Sequence, residues 1–148
     1  MLCHNIPMSL QRLLSDPLRL PLQQRVSTHL NRPWQVQTAQ DMEDASSHPA
    51  AVLSDGTYAV FVKLAEGSLA SDRTAKEIAG LAALTARAGV LTPPAVGAVP
   101  AAGAVLLILE AVVPVARGER QWREMGRALA RIHRVKGERF GFESHCYW

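Results

Sequence analysis

The spacing of hydrophobic residues along the chain predicts a mixture of strands and helices. Residues 1–19 predict a loose lead-in or a short helix, whereas 20–30 carry apolar residues at every fourth position, as an amphipathic helix does. Segments that alternate or stay continuously apolar predict five strands, at 34–38, 51–53, 58–64, 95–99 and 104–109. Because 58–64 is almost entirely apolar, we expect this strand to be buried on both faces.

Two longer segments predict helices. Residues 71–88 have helical periodicity, with Ser71 or Asp72 able to cap the start and Gly89 placed to end it. Residues 121–135 form the second helix, and its apolar face should lack a partner within this chain. That face consists of Trp122, Met125, Leu129 and Ile132.

The order of the predicted elements indicates the fold class. Three strands, a helix, two strands, a linker at 113–118 and a second helix follow one another. A hairpin signal at 54–56 and a polar loop at 41–49 separate the first three strands. We therefore predict an α+β fold with a five-stranded, mostly antiparallel sheet and one helix packed across it.

Length and charge narrow the functional classes. The 148 residues fit one compact domain or part of a larger one. The formal net charge is +3, and the basic residues are scattered among acids, so we predict no nucleic-acid partner. The uncharged stretch 90–109 is long enough to cross a membrane, but prolines and glycines interrupt it, so we predict no membrane partner.

The two cysteines favour a reducing compartment. Cys3 and Cys146 are too few for a disulfide framework, and the first residues of the chain do not form a secretory signal, so we expect a cytoplasmic protein. Each cysteine has a histidine neighbour, His4 or His145, but the spacing is not that of a metal site. We therefore predict no metal ligands in this chain.

One lysine ends the longest predicted strand, and one glutamate lies on the helix that should cover the sheet. Lys63 is one of only three lysines, and Glu77 shares a helical stripe with Leu81 and Leu84. A buried carboxylate needs a cation or hydrogen bonds, and an ion pair between Lys63 and Glu77 would satisfy both residues. The alternative is that Lys63 extends to solvent and Glu77 lies at the flank of the helix.

The order of these segments is that of the N-terminal lobe of a protein-kinase-like fold. More specifically, the chain resembles the fructosamine kinase (ketosamine 3-kinase) family, which is related to the aminoglycoside phosphotransferases. The matching segments are "FVK" at 61–63, "KEIAGLAAL" at 76–84, "LTPPAVGAV" at 91–99, "LLILEAV" at 106–112, "MGRALARIH" at 125–133 and "RFGF" at 139–142.

The resemblance implies a nucleotide site. Lys63 would contact the phosphates of ATP, Glu77 would hold Lys63, and the backbone of Glu110, Ala111 and Val112 would bind the adenine edge. The family uses ATP and Mg²⁺ to phosphorylate a sugar hydroxyl of a glycated amine. An aminoglycoside- or choline-type phosphotransferase and a non-catalytic kinase-like binding module remain alternatives, and an amino sugar is the alternative small-molecule partner.

Two departures from the family pattern bear on activity. The turn that should cover the phosphates, 40–49, has no glycine and carries three acids, which opposes phosphate binding. No aspartate follows Asp72, although phosphoryl transfer needs one as base and one on the metal. We therefore expect a truncated, inactive chain without catalytic residues or Mg²⁺ ligands: a lead-in at 1–19, a kinase-like N-lobe at 20–112, and a linker with the start of an incomplete C-lobe at 113–148.

Overall fold

One antiparallel sheet forms the centre of the protein. The computed structural model describes residues 8–42 and 48–137. The strands are β1 (Thr38–Asp41), β2 (Ala50–Ser54), β3 (Ala59–Glu66), β4 (Ala95–Ala101) and β5 (Ala104–Glu110). The helices are α1 (Met8–Leu13), α2 (Asp16–Leu30), α3 (Ala70–Ala88) and α4 (Glu119–Arg134). The five strands lie in the order β1-β2-β3-β5-β4 with every neighbouring pair antiparallel, which confirms the predicted fold class.

The two faces of β3 differ in burial. Val60, Val62 and Leu64 are fully buried, whereas Phe61 and Lys63 between them are half-buried. The prediction that this strand is buried on both faces was therefore wrong. Successive side chains of a strand point to opposite faces, so the odd-numbered residues of β3 share a second, more accessible face.

The more buried face of the sheet is covered by the first two helices. Their apolar residues belong to one hydrophobic core with alternate residues of β2, β3, β4 and β5. The helical members of this core are Leu10, Leu13, Leu18, Leu22 and Val26. The sequence had predicted a single packed helix and a helix start at residue 20, whereas α2 begins at Asp16. Helices therefore cover both faces, because α3 pairs with Lys63 on the opposite side.

The segment between α2 and β1 is not a strand, although its alternating pattern predicted one at 34–38. Its backbone bonds to side chains of α2 instead: the Trp34 N–H donates to Ser27 Oγ at 2.9 Å, and the Val36 N–H donates to Gln23 Oε1 at 3.0 Å. The Trp34 ring is buried in the core, and its Nε1 donates to the Tyr58 carbonyl oxygen at 3.1 Å. These bonds replace the ladder that a strand would need.

The start of α3 also departs from the prediction. Neither Ser71 nor Asp72 caps this helix, which begins at Ala70 after Leu69 with no side-chain cap. The Ala70 N–H instead donates to the Gly67 carbonyl in the preceding turn, at 3.1 Å. The predicted end is confirmed, because Gly89 adopts the left-handed conformation with a φ of 60°.

The apolar face of α4 is exposed, as the sequence predicted. Trp122, Met125 and Leu129 keep 55%, 60% and 53% of their surfaces accessible. Within residues 8–42 and 48–137, none of the helices is long and apolar enough to cross a membrane. The "RFGF" segment and the cysteine–histidine pairs at both ends lie outside the described residues.

Candidate functional site

Lys63 and Glu77 form an ion pair where β3 meets α3. Lys63 Nζ lies 2.9 Å from Glu77 Oε2, and the two side chains are 23% and 39% exposed. The predicted contact is confirmed, and the alternative in which Lys63 extends to solvent apart from Glu77 is wrong. The roles of the two residues toward a ligand remain predictions.

The pair leaves Lys63 able to bind an anion. An ammonium group has three N–H donors, and the bond to Glu77 uses one of them. The carboxylate also restrains a flexible four-carbon side chain, so the ammonium is held in place at the accessible face of the sheet. A fixed, partly desolvated ammonium of this kind is suited to a phosphate oxygen.

A flat apolar surface adjoins Lys63 on the same face. Val52 pairs with Phe61, and Phe61 pairs with Leu109, so these three side chains lie side by side across β2, β3 and β5. Phe61 is two residues from Lys63, which places it on the same face about 7 Å along the strand. Val52 and Phe61 are half-buried, and such a surface can pack against a planar aromatic ring.

Sequence reasoning missed this surface. The available signal was the spacing of two between Phe61 and Lys63, which places both on one face of a strand. The contributions of Val52 and Leu109 depend on the register between strands, which the spacing within one strand does not determine.

The backbone at the end of β5 is only partly free to bind a ligand. The Glu110 N–H donates to the Pro94 carbonyl at 2.9 Å, and the Ala111 N–H donates to the Ala59 carbonyl at 3.0 Å. These two N–H groups therefore have partners within the chain, and the expectation that the backbone of 110–112 binds the adenine edge remains a prediction for its other groups. Pro94 has no N–H with which to return a bond, so it cannot occupy the Glu110 carbonyl. Val112 follows with 66% of its surface exposed.

Tyr58 holds the side chain of Glu110. Its hydroxyl donates to Glu110 Oε1 at 2.9 Å. Burial of the phenol, together with this hydrogen bond and the charge of Glu110, raises the pKa of Tyr58 to about 12. The hydroxyl therefore stays protonated and remains a hydrogen-bond donor across the whole physiological pH range.

An ionised aspartate holds the hairpin turn that precedes Tyr58. Asp55 Oδ1 accepts hydrogen bonds from the N–H groups of Thr57 and Tyr58 at 2.9 and 2.7 Å, and Arg32 donates to Oδ2 at 2.7 Å. Burial disfavours the charged carboxylate, but the bonds from Arg32, Tyr58 and Thr57 outweigh it and hold the pKa of Asp55 well below its ordinary value.

The described residues contribute no metal centre. Over 8–42 and 48–137, no three histidine, cysteine, aspartate or glutamate side chains lie close enough together to hold a metal ion. Residues 43–47, half of the acidic loop at 40–49 that should cover the phosphates, lie outside the described residues. The candidate site therefore consists of a lysine–glutamate pair, an apolar surface and a partly free backbone edge.

Comparisons with known proteins agree with this architecture. A family model described as fructosamine kinase matches residues 21–147. The fold is similar to a crystal structure from Haemophilus somnus 129PT of a protein described as a candidate fructosamine-3-kinase, with a TM-score of 0.69 and 19% sequence identity. The match covers 80% of this chain and 40% of that chain. A search of curated proteins gave no significant match.

Proposed function

The chain belongs to the fructosamine kinase family, and we propose that it forms the ATP-binding part of a kinase that phosphorylates a sugar hydroxyl of a glycated amine. Family membership supports a kinase-type function in general, and the chain spans 40% of the related structure. The observation that carries the proposal is the Lys63–Glu77 pair at 2.9 Å, because it fixes a cation beside an accessible apolar surface.

The residues present fit an adenine nucleotide. Its ring would pack against Val52 and Phe61, which are half-buried, beside the buried Leu109 on the same face. The amino group of the ring would donate to the Glu110 carbonyl, which Pro94 cannot occupy, and the Val112 N–H would donate to a ring nitrogen. Lys63 lies on the same face, where it would bind phosphate oxygens.

The chain's contribution to the reaction is binding and orientation. Glu77 holds the Lys63 side chain in place, and Lys63 would then stabilise the negative charge of the phosphates. ATP supplies the phosphoryl group when bound, and Mg²⁺ offsets its charge. Because no aspartate follows Asp72, we expect no transfer to a glycated amine by this chain alone.

A nucleotide titration tests the proposal. Binding of ATP and Mg²⁺ to the full chain is measured by calorimetry for the wild type, Lys63→Ala and Lys76→Ala. Lys76 is the matched control, because this lysine is also partly buried and pairs with Asp72 at 2.7 Å. Loss of a charge-assisted bond should weaken binding by at least about tenfold in Lys63→Ala and little in Lys76→Ala. Equal binding by the wild type and Lys63→Ala contradicts the proposal.

A further inference from the structure

Tyr58 makes three hydrogen bonds, each with a different part of the molecule. Its N–H donates to Asp55 Oδ1 at 2.7 Å, and its carbonyl accepts from Trp34 Nε1 at 3.1 Å. Its hydroxyl donates to Glu110 Oε1 at 2.9 Å. The residue therefore connects the hairpin turn and the segment after α2 to the end of β5.

The side chains of Tyr58 and Glu110 lie on the face of the sheet opposite to the candidate nucleotide site. Glu110 pairs with Val60, a core residue, so its carboxylate shares the face that α1 and α2 cover. Tyr58 packs against the same core. The proposed adenine surface is on the odd-numbered face of β3, so Tyr58 would not touch the ligand and can act only through Glu110.

The backbone of Glu110 is restrained on each side by a different bond. Its own N–H is bound to Pro94, and the next N–H, that of Ala111, is bound to Ala59. The side-chain bond from Tyr58 adds a third restraint on the same residue. A hydrogen bond to an ionised group is among the stronger ones in proteins, so its loss would free a half-buried carboxylate to turn toward water.

We propose that Tyr58 is a positioning residue that orients the Glu110 carbonyl toward the amino group of a bound adenine. The inference rests on the proposed nucleotide function. Under this proposal, selectivity for the adenine amino group depends partly on the Tyr58 hydroxyl, which lies on the face of the sheet opposite to the nucleotide. The contacts of Asp55 and Trp34 fix the Tyr58 backbone, so the hydroxyl has a rigid base from which to hold Glu110.

The Tyr58→Phe variant separates the hydroxyl from the packing of the ring. Binding is measured for ATP and for purine riboside triphosphate, which lacks the amino group. We expect about a three- to tenfold loss of affinity for ATP and little loss for the purine analogue. If the Tyr58 hydroxyl only stabilised the fold, Tyr58→Phe would lower the affinity for both nucleotides equally. Ser54→Ala is the control, because it removes a hydroxyl of the same hairpin, which accepts a bond from the nearby Gly56 N–H at 2.9 Å.

Two further measurements complete the test. Without nucleotide, amide hydrogen exchange at residues 111–113 should be faster in Tyr58→Phe than in the wild type and Ser54→Ala. Adding Glu110→Gln to Tyr58→Phe should cause no further loss of ATP affinity, because the contact is already broken. Unchanged exchange, or equal loss for both nucleotides, overturns the role of Tyr58. A wild type that binds neither nucleotide overturns the proposed function instead, and with it the role of Tyr58 in nucleotide binding.

Discussion

The packing of α2 against the sheet can be tested by substituting two leucines of this helix. Leu22 is fully buried in the core shared with β2, β3, β4 and β5, whereas Leu20, two positions earlier, is 55% exposed. Leu22→Ala and Leu20→Ala make the same chemical change on one helix. Helix propensity favours alanine slightly at either position, so any difference between the variants reports on packing.

The expected cost follows from the burial of Leu22. The substitution removes three carbons from a fully buried side chain, which is worth about 2 kcal/mol of transfer free energy. A cavity that closes only partly raises the total to about 3 kcal/mol. For a chain of this size, that loss lowers Tm by about 6 to 12 °C. Leu20→Ala should change the free energy of unfolding by less than about 0.5 kcal/mol.

Urea unfolding followed by circular dichroism at 222 nm gives both free energies. The midpoint should fall for Leu22→Ala and stay near the wild-type value for Leu20→Ala. Equal shifts for the two variants, or no shift for Leu22→Ala, would refute the packing of α2 against the sheet.

Two further predictions concern the hairpin turn and the sheet edge. Because the folded pKa of Asp55 lies below its ordinary 3.8, the ionised carboxylate stabilises the fold above that pH and loses this effect as pH falls through the lowered value. Asp55→Asn should therefore lower Tm at pH 7, and its difference from the wild type should shrink progressively as pH falls below about 4. Asp16→Asn removes one partner of an exposed ion pair with Arg19 and should change Tm little. Gly97→Ala should cost about 1 to 3 kcal/mol in urea unfolding, since φ is +148° and the new Cβ would lie 2.7 Å from Arg25 Nε. Gly80→Ala, in α3 with nothing within 4 Å, should instead stabilise the fold.

Local signals were sufficient for several parts of the fold. The hairpin at 54–56 joins β2 and β3 as predicted, and Gly89 ends α3. The Lys63–Glu77 contact followed from two local observations: a predicted strand and a helical stripe each carried an unexplained charge. Lys63 does not end the strand, because β3 continues to Glu66. A strand–helix pair that is close in sequence has few ways to pack, so the two charges could meet.

The packing of α2 on the more buried face of the sheet could not be predicted from local sequence pattern. Pro21 lies inside α2 and Pro17 near its start, and charged residues interrupt the apolar spacing before residue 20. Proline opposes an interior helical position, yet the buried side chains of α2 hold the helix on the sheet. Likewise, Trp34 belongs to an alternating segment, but its bonds to α2 and to Tyr58 depend on tertiary contacts.

The core face of β3 also determines which residues reach the candidate site. Val60, Val62 and Leu64 must face the core that α1 and α2 build, so Phe61 and Lys63 must face the other way. A shift of one residue in the register of β3 would turn Lys63 into the core and expose Val62. Such a shift is unfavourable because it would bury the charge of Lys63 without a partner. The packing of α1 and α2 on the core face of the sheet therefore directs the Lys63 side chain to the opposite face. On that face, the Glu77 carboxylate holds the Lys63 ammonium in place.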